Sequence, residues 1–227
     1  MKLVTFGDIH MAAANAASIP GIGAMDLVLL NGDLTNYGGV REAKSVLDDV
    51  LRYNLNVLAQ FGNLDRPEIN DYLESLGMNL HGQARLFEGE VCIVGIGGSN
   101  PTPFNTPSEF SESGLLEAGE RAFEEAREYV TLGISLYKKT LPVILICHAP
   151  PFNTKVDRLR NGRPVGSKAI RSLIEKYRPA LVITGHIHEA KGLDHIDGIP
   201  IYNPGMFRLG GYVIVEINQS QLSVHLE

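Results

Sequence analysis

Short apolar runs recur along the chain, each closed by a small polar cluster, and they alternate with longer stretches whose apolar residues return every third or fourth position. "KLVTFGD" leads to "DLVLLNGD", then to an amphipathic segment from Val40 to Tyr53, then to "NVLAQFGN" and a short helical segment from Pro67 to Leu76. That alternation predicts βαβ units and a largely parallel sheet. "ARLFEGEVCIVGIGG" reads as paired strands, followed by the proline-rich loop "SNPTPFNTPSEF" and a long helix from about Glu112 to Lys139. Strand-type runs resume with "PVILICH", "ALVITGH", "IPIYNPG", "YVIVEI" and "LSVHL", the last few close enough together to form an antiparallel group. Two packed sheets with helices outside accommodate this order. No internal repeat or linker interrupts it.

The 227 residues suffice for one large α/β domain, 1–227, with a single buried core. A hydrophobic content of 44% with 20% charged residues is that of an ordinary globular chain. A formal net charge of −6 lacks the basic footprint of a backbone-binding nucleic-acid protein, so any such role must be local. Cys92 and Cys147 lie inside apolar runs without a CxxC partner and read as reduced core residues. No run is long enough to span a membrane, and the first strand begins at Lys2 without a signal-peptide pattern. A cytoplasmic protein without membrane contact is expected; oligomeric state is not legible.

Strand after strand ends on metal-type ligands: Asp8 and His10 in "GDIH", Asp33 in "NGD", Asn63 in "FGN", His148 in "ICH", His186 and His188 in "TGHIH". Ligands of open α/β sheets bind at the carboxyl ends of strands. Residues two apart in an extended segment project to one side, so Asp8 can converge with His10 and His186 with His188. Taken singly, an Asp or Asn at a strand end is more often a turn former or cap than a ligand. Five such ends, each after its own apolar run, point together to a metal centre. His81, His195 and His225 have no such neighbours and read as surface or packing residues.

In order and spacing these motifs resemble the calcineurin-like metallophosphoesterases, whose pattern is DxH, GDxxxxG, GNH[DE], a lone His and GHxH; the resemblance covers about Leu3 to Gly205. It implies a four-layer αββα sandwich of two mixed β-sheets flanked by helices. It also implies two divalent metal ions, one held by Asp8, His10 and His188, the other by Asn63, His148 and His186, with Asp33 bridging both. The implied activity is hydrolysis of a small phosphodiester, or of a phosphomonoester, by a metal-bridging hydroxide. Two cations can acidify a shared water and clamp both ends of an in-line displacement at phosphorus. Mixed imidazole, carboxylate and amide ligation suits Mn, Fe, Zn or Ni better than Ca. Asp33, Asn63 and His148 carry the chemistry in this reading, beside a small phosphorylated substrate.

The third motif departs from the family pattern, because Leu64 stands where the family usually has a histidine thought to assist the leaving alkoxide. Asn63 keeps its ligand role and the proton donor is absent. "DRPE" then reads as a helix start capped by Asp65 with Glu68 three residues on. Arg66 either reaches a substrate phosphate or is an exposed first-turn arginine. The loss of the histidine favours leaving groups that need little protonation, or phosphodiesters. Asn36, where many relatives have an acid, is expected to start the following helix.

After His148, "PPFNTKVDRLRNGRPVGSKA" carries Lys155, Arg158, Arg160, Arg163 and Lys168 against Asp157, which places cations on the rim or in a solvated loop. Gly166 and Ser167 open a helix whose amides can hold an anion. Phe104 and Phe110 either stack on a nucleobase or pack on the long helix. "PTPFNTP" and "VGSKA" resemble a bacterial and archaeal phosphoesterase subgroup. Two alternatives are a non-catalytic metal-binding scaffold on the same fold, as in the retromer subunit, and a nuclease of the superfamily. "GIGG" at 95–98 lacks the full dinucleotide fingerprint.

Overall fold

The computed structural model describes residues 1–227, apart from the side chain of Tyr137. Strands β1 (Lys2–Phe6), β2 (Leu27–Asn31) and β3 (Val57–Gln60) alternate with helices α1 (Val40–Leu51) and α2 (Glu68–Ser75). The hairpin β4 (Gln83–Phe87) and β5 (Val91–Ile96) precedes α3 (Glu112–Tyr137), β6 (Val143–Cys147), α4 (Lys168–Tyr177) and β7 (Leu181–Ile183). Four strands finish the chain: β8 (Gly192–Ile196), β9 (Ile199–Asn203), β10 (Val213–Asn218) and β11 (Gln221–Leu226). They form a five-stranded sheet, β11-β10-β1-β2-β3, and a six-stranded sheet, β4-β5-β6-β7-β9-β8.

Period-two alternation within the buried strands assigns their residues to layers. Leu3, Leu27 and Leu29 face the second sheet, where they meet Ile93, Ile144 and Ile146. Val4, Val28 and Leu30 face the opposite way, onto Val46, Leu47 and Val50 of α1. On the far side Val94, Leu145 and Val182 pack under Leu115 and Phe123 of α3 and Leu173 of α4. The result is the αββα sandwich. Each such aliphatic side chain contributes about 2 kcal/mol by leaving water.

Register brings the chemistry to one edge. In the first sheet Phe6 pairs with Leu30 and Asn31 with Gln60; in the second Ile96 pairs with Cys147 and Ile146 with Ile183. The carboxyl ends of β1, β2, β3, β6 and β7 are therefore level. Just beneath that edge the buried amides of Asn31 and Gln60 tie the sheets together: Asn31 Nδ2 donates to Cys147 O at 3.1 Å, and Gln60 Nε2 donates to Asn31 Oδ1 at 2.7 Å and to Ile146 O at 3.2 Å.

Several expectations are corrected. The C-terminal strands do not form one group: β8 and β9 are antiparallel in the second sheet, whereas β10 crosses to the first and pairs antiparallel with β1, with β11 outside it. β8, "GLDHI", was not foreseen because its alternating polar residues mark an exposed edge strand rather than an apolar run. α1 ends at Leu51 rather than Tyr53, and α3 at Tyr137, where Lys138 turns into left-handed backbone at φ 56°. Cys92 and Cys147 are buried free thiols. No helix among the described residues is long and apolar enough to cross a membrane.

Candidate metal centre

The loops leaving β1 and β2 interlock through the main chain. Asp8 N donates to Gly32 O at 3.0 Å, and the amides of Ile9 and His10 both donate to Asp33 O at 2.9 Å. Asp8, His10, Asp33 and His186 all adopt left-handed backbone, with φ of 51°, 49°, 46° and 65°. Such conformations cost energy for residues with a Cβ and persist where the surroundings over-determine them. The adjoining glycines permit the crowding: a Cβ on Gly32 would stand 2.6 Å from His148 Nδ1, and one on Gly62 would collide with the amide and Oδ1 of Asp33. That is why the third strand breaks at a glycine before Asn63.

Two groups of ligand atoms result, Asp8 with His10 and His188, and Asp8 with Asp33 and His148, the atoms of each lying within 4.8 Å of one another. The carboxylate common to both is Asp8; Asp33 stands in the second. Asn63 Oδ1 joins that second group, 3.0 Å from His148 Nε2. His186 belongs to neither group. Its ring centroid lies 5.3 Å from that of His148, and its amide donates to Asp8 Oδ2 at 3.0 Å.

Hydrogen-bond partners fix the tautomers of His148 and His10. His148 Nδ1 donates to Asn31 O at 2.9 Å, so in the neutral ring Nε2 is a lone pair, facing the acceptors Asn63 Oδ1 and, at 3.5 Å, Asp33 Oδ1. His10 Nδ1 donates to Asn36 Oδ1 at 3.0 Å, and its Nε2 lies 3.3 Å from His188 Nε2, which is itself 3.0 Å from Asp8 Oδ1. At the first point an imidazole lone pair, an amide oxygen and a carboxylate oxygen converge; at the second, two imidazole nitrogens meet a carboxylate oxygen. Such a cluster needs a proton or a cation at its centre, and buried oxygen and imidazole donors without a thiolate fit a divalent transition metal.

A family model described as calcineurin-like phosphoesterase matches residues 1–190. The chain belongs to the calcineurin-like phosphoesterase family. An uncharacterized protein of Methanocaldococcus jannaschii is 34% identical over 183 residues, which are 79% of this chain and 77% of that protein. Among solved structures, a Thermus thermophilus protein matches with a TM-score of 0.64 at 16% identity, covering 99% of this chain and 98% of its own. The phosphopantetheinyl hydrolase of Mycobacterium tuberculosis matches with a TM-score of 0.54 at 16% identity, covering 91% and 90%. Identities this low speak for the fold.

In this calcineurin-like phosphoesterase the buried charges polarise one another. Burial opposes ionisation of both Asp33 and His148, yet their mutual attraction prevails, holding the carboxyl below its ordinary value and the imidazole above. Burial and the neighbouring His148 push His186 down to about 4. The carboxylates of Asp33 and Asp8 thus favour positive charge at this point.

Asp65 is corrected. Its carboxylate does not cap α2, whose first turn receives no side-chain cap; it lies fully buried and ties the loops after β2 and β3 together. It accepts from the amides of Gly62, Leu34 and Thr35 at 2.8, 2.9 and 2.8 Å and from the Thr35 hydroxyl at 2.8 Å. Those inward-facing donors outcompete an exposed helix end, while burial and the charge of Asp33 raise its carboxyl to about 6. Asn36 is corrected too. Gly39 starts α1, and Asn36 orients His10 instead.

Asn63 has its own support, which the sequence did not reveal. Its Nδ2 donates to Thr106 Oγ1 at 3.0 Å, and Thr106 donates to Glu109 Oε1 at 2.7 Å, which turns Asn63 Oδ1 toward His148. Glu109 stands 46 positions further along the chain, so spacing carried no signal.

A cavity of about 650 Å³ opens above the centre, with Asp33, Asn63, His186 and His188 in its floor. Leu64, Phe104, Phe152, Arg163 and Lys168 line its walls. Phe110 is instead inside, stacked on His81 at 5.4 Å. Of the cationic loop, Arg158 is absorbed by Thr154 O, Gly162 O and Asn153 Oδ1, and only Arg163 and Lys168 line the cavity. Arg66 lies outside the lining; its Nε donates to Tyr37 O at 3.1 Å. The amides at the start of α4 hold no external anion, because Glu112 fills that place, accepting from Lys168 N at 3.1 Å and Ala169 N at 2.7 Å.

Proposed function

We propose that this protein is a dinuclear metal-dependent phosphoesterase that hydrolyses a small phosphodiester and, less efficiently, phosphomonoesters. The observation that carries the reading is the convergence of carboxylate and imidazole ligand atoms in two adjacent groups sharing Asp8, beneath a cavity large enough for a substrate. Asp8, His10 and His188 would hold one ion; Asp33, Asn63 and His148 would hold the second, with His186 beside them. Mn, Fe, Zn or Ni suits that donor set. When bound, two such ions supply Lewis acidity toward a phosphoryl oxygen and an acidified water.

The chain's own residues position the reaction. Asp33 and Asp8 give the floor its negative charge, Asn31 O fixes the tautomer of His148, and Asn36 fixes that of His10. Leu64, on the cavity wall beside Asn63, has no proton to give to a departing oxygen. Two buried free thiols, pushed up to about 12 by burial, suit a reducing cytoplasmic setting.

The test uses protein purified without added metal and assayed on bis-p-nitrophenyl phosphate and p-nitrophenyl phosphate with Mn, Ni, Zn or Mg. Turnover of the diester is expected with metal, Asp33→Asn losing about 1,000-fold or more, and Leu64→His shifting preference toward the monoester. Metal binding without turnover of either ester would instead make this a metal-binding scaffold.

A further inference from the structure

A sheet edge presents main-chain groups that have to be covered, paired or guarded by charge. The four edges here are β3 and β11 in the first sheet and β4 and β8 in the second. Residues 78–80 cover β3, with Ala59 N donating to Met78 O at 2.8 Å and Leu80 N to Ala59 O at 2.9 Å. On β4 the Ala84 amide donates to Glu125 Oε2 of α3 at 2.8 Å. β8 carries Asp194, whose carboxylate accepts from Lys155 N at 2.7 Å and holds the loop 148–167 against it. β11, "QLSVHL", has none of these protections. No proline, lysine, arginine or acid interrupts it, and it follows β10 along its whole length without a bulge.

Hydrogen-bond parity decides which of its groups are free. Glu227 N donates to Tyr212 O at 3.0 Å and Tyr212 N to Glu227 O at 3.4 Å, so Glu227, His225, Ser223 and Gln221 turn their amides and carbonyls toward β10. Those of Leu222, Val224 and Leu226 point out of the edge, where no partner meets them among the described residues. The side chains of these three lie half-buried on the inner face, against the second sheet, while Gln221, Ser223 and His225 are exposed on the outer face. The apolar pattern Leu222, Val224, Leu226 reads the same in both directions about Val224.

We propose that β11 pairs antiparallel with β11 of a second copy of this chain across a two-fold axis at Val224, which joins the two five-stranded sheets into one. In that register Val224 faces its own copy and Leu222 faces the partner's Leu226, so every outward group is used in about six main-chain hydrogen bonds. The inner apolar row of one copy continues into that of the other. On the outer face Ser223 stands opposite the partner's His225. A slip of one residue would turn the free groups of one strand onto side chains of the other face, so parity excludes it. The lack of formal charge from Gln221 to Leu226 lets two copies of an acidic chain approach at this edge. β11 runs parallel to β1, because both are antiparallel to β10, and Leu226 is level with Thr5 through Val213. Leu226 therefore marks the edge that bears the metal ligands. The two-fold axis turns the partner's cavity to the opposite side of the joint sheet, and both stay open.

Sedimentation velocity of the full chain from about 1 to 100 µM tests this. A reversible dimer with Kd on the order of 10 µM is expected, as befits a small interface. Ser223→Glu/His225→Glu sets like charges opposite one another twice across the axis and should weaken the dimer about tenfold or more. Ser223→Lys/His225→Lys should do the same, and an equimolar mixture of the two variants should dimerise at least as tightly as the unsubstituted protein. Val224→Pro removes an outward amide and no bond to β10, and should leave a folded monomer. Should the proline prevent folding, the charge variants, which sit at exposed positions, decide the matter. A chain that stays monomeric at about 100 µM, a dimer indifferent to both charge variants, or charge variants that fail to recombine on mixing would each overturn the proposal.

Discussion

The floor of the site and the rim above it differ in how they are held. The loops bearing Asp8, Asp33 and His186 are wound into left-handed backbone, locked by main-chain hydrogen bonds and largely buried at the carboxyl edge of the two sheets. The loops 99–110 and 148–167 are long and proline-rich; besides main-chain bonds such as Ser99 N to Ser108 O and Val165 N to Asp157 O they depend on the side chains of Glu109, Asp157 and Arg158, and Phe104 and Arg163 line the open cavity. The difference teaches that the geometry of the Asp and His cluster is a property of the fold, whereas the cavity walls are exposed loops that can change without unfolding it.

The sharpest way to break the comparison is at Asp65, which holds the floor although it touches no ligand atom of either group. Asp65→Ala strands three buried amides and a hydroxyl, and a loss of about 4 kcal/mol in denaturant-measured stability is expected. Asp65→Asn, which retains an acceptor, should lose clearly less.

His81 lies between the regions, packed on Phe61 and Phe110 and accepting from Gly97 N at 3.0 Å. Burial, with Arg121 nearby, lowers its pKa from 6.5 to about 4. The native ring therefore stays neutral where the unfolded one takes up a proton, so stability is present above pH 6.5 and lost as pH falls toward 4. Urea titrations should show up to about 3 kcal/mol of this loss, and His81→Gln should flatten it.

Thr106 couples rim to floor through Asn63. Thr106→Val removes the acceptor for Asn63 Nδ2, and Mn affinity by calorimetry should fall about 10- to 100-fold with little change in melting temperature. At the small end, Phe104→Ala should alter stability by less than about 0.5 kcal/mol. A larger change would mean that the rim helps to hold the fold.

Much of this is legible in the sequence alone. Asp8, His10, Asp33, Asn63, His148, His186 and His188 announced themselves because each closes an apolar run, and the structure brings those strand ends to one edge. Asp65 and Asn36 were misread because helix-start patterns are local, while their actual partners, the loop of Leu34 and Thr35 and the ring of His10, are remote in sequence. Glu112 was unreadable for the same reason. It lies 55 positions from Ser167 and ends on the amides of a helix it does not precede.

The sequence by itself determined the order of strands and helices, the apolar faces that stack them into four layers, and the ligand types at the strand ends, since these depend on periodicity and residue chemistry within short windows. Only the tertiary structure decided that Asp8 is the carboxylate common to both ligand groups, that Glu109 and Thr106 orient Asn63, and that two distant loops close one cavity over the centre. Those outcomes depend on which remote groups are left without water and must satisfy one another, and neighbours along the chain do not specify that.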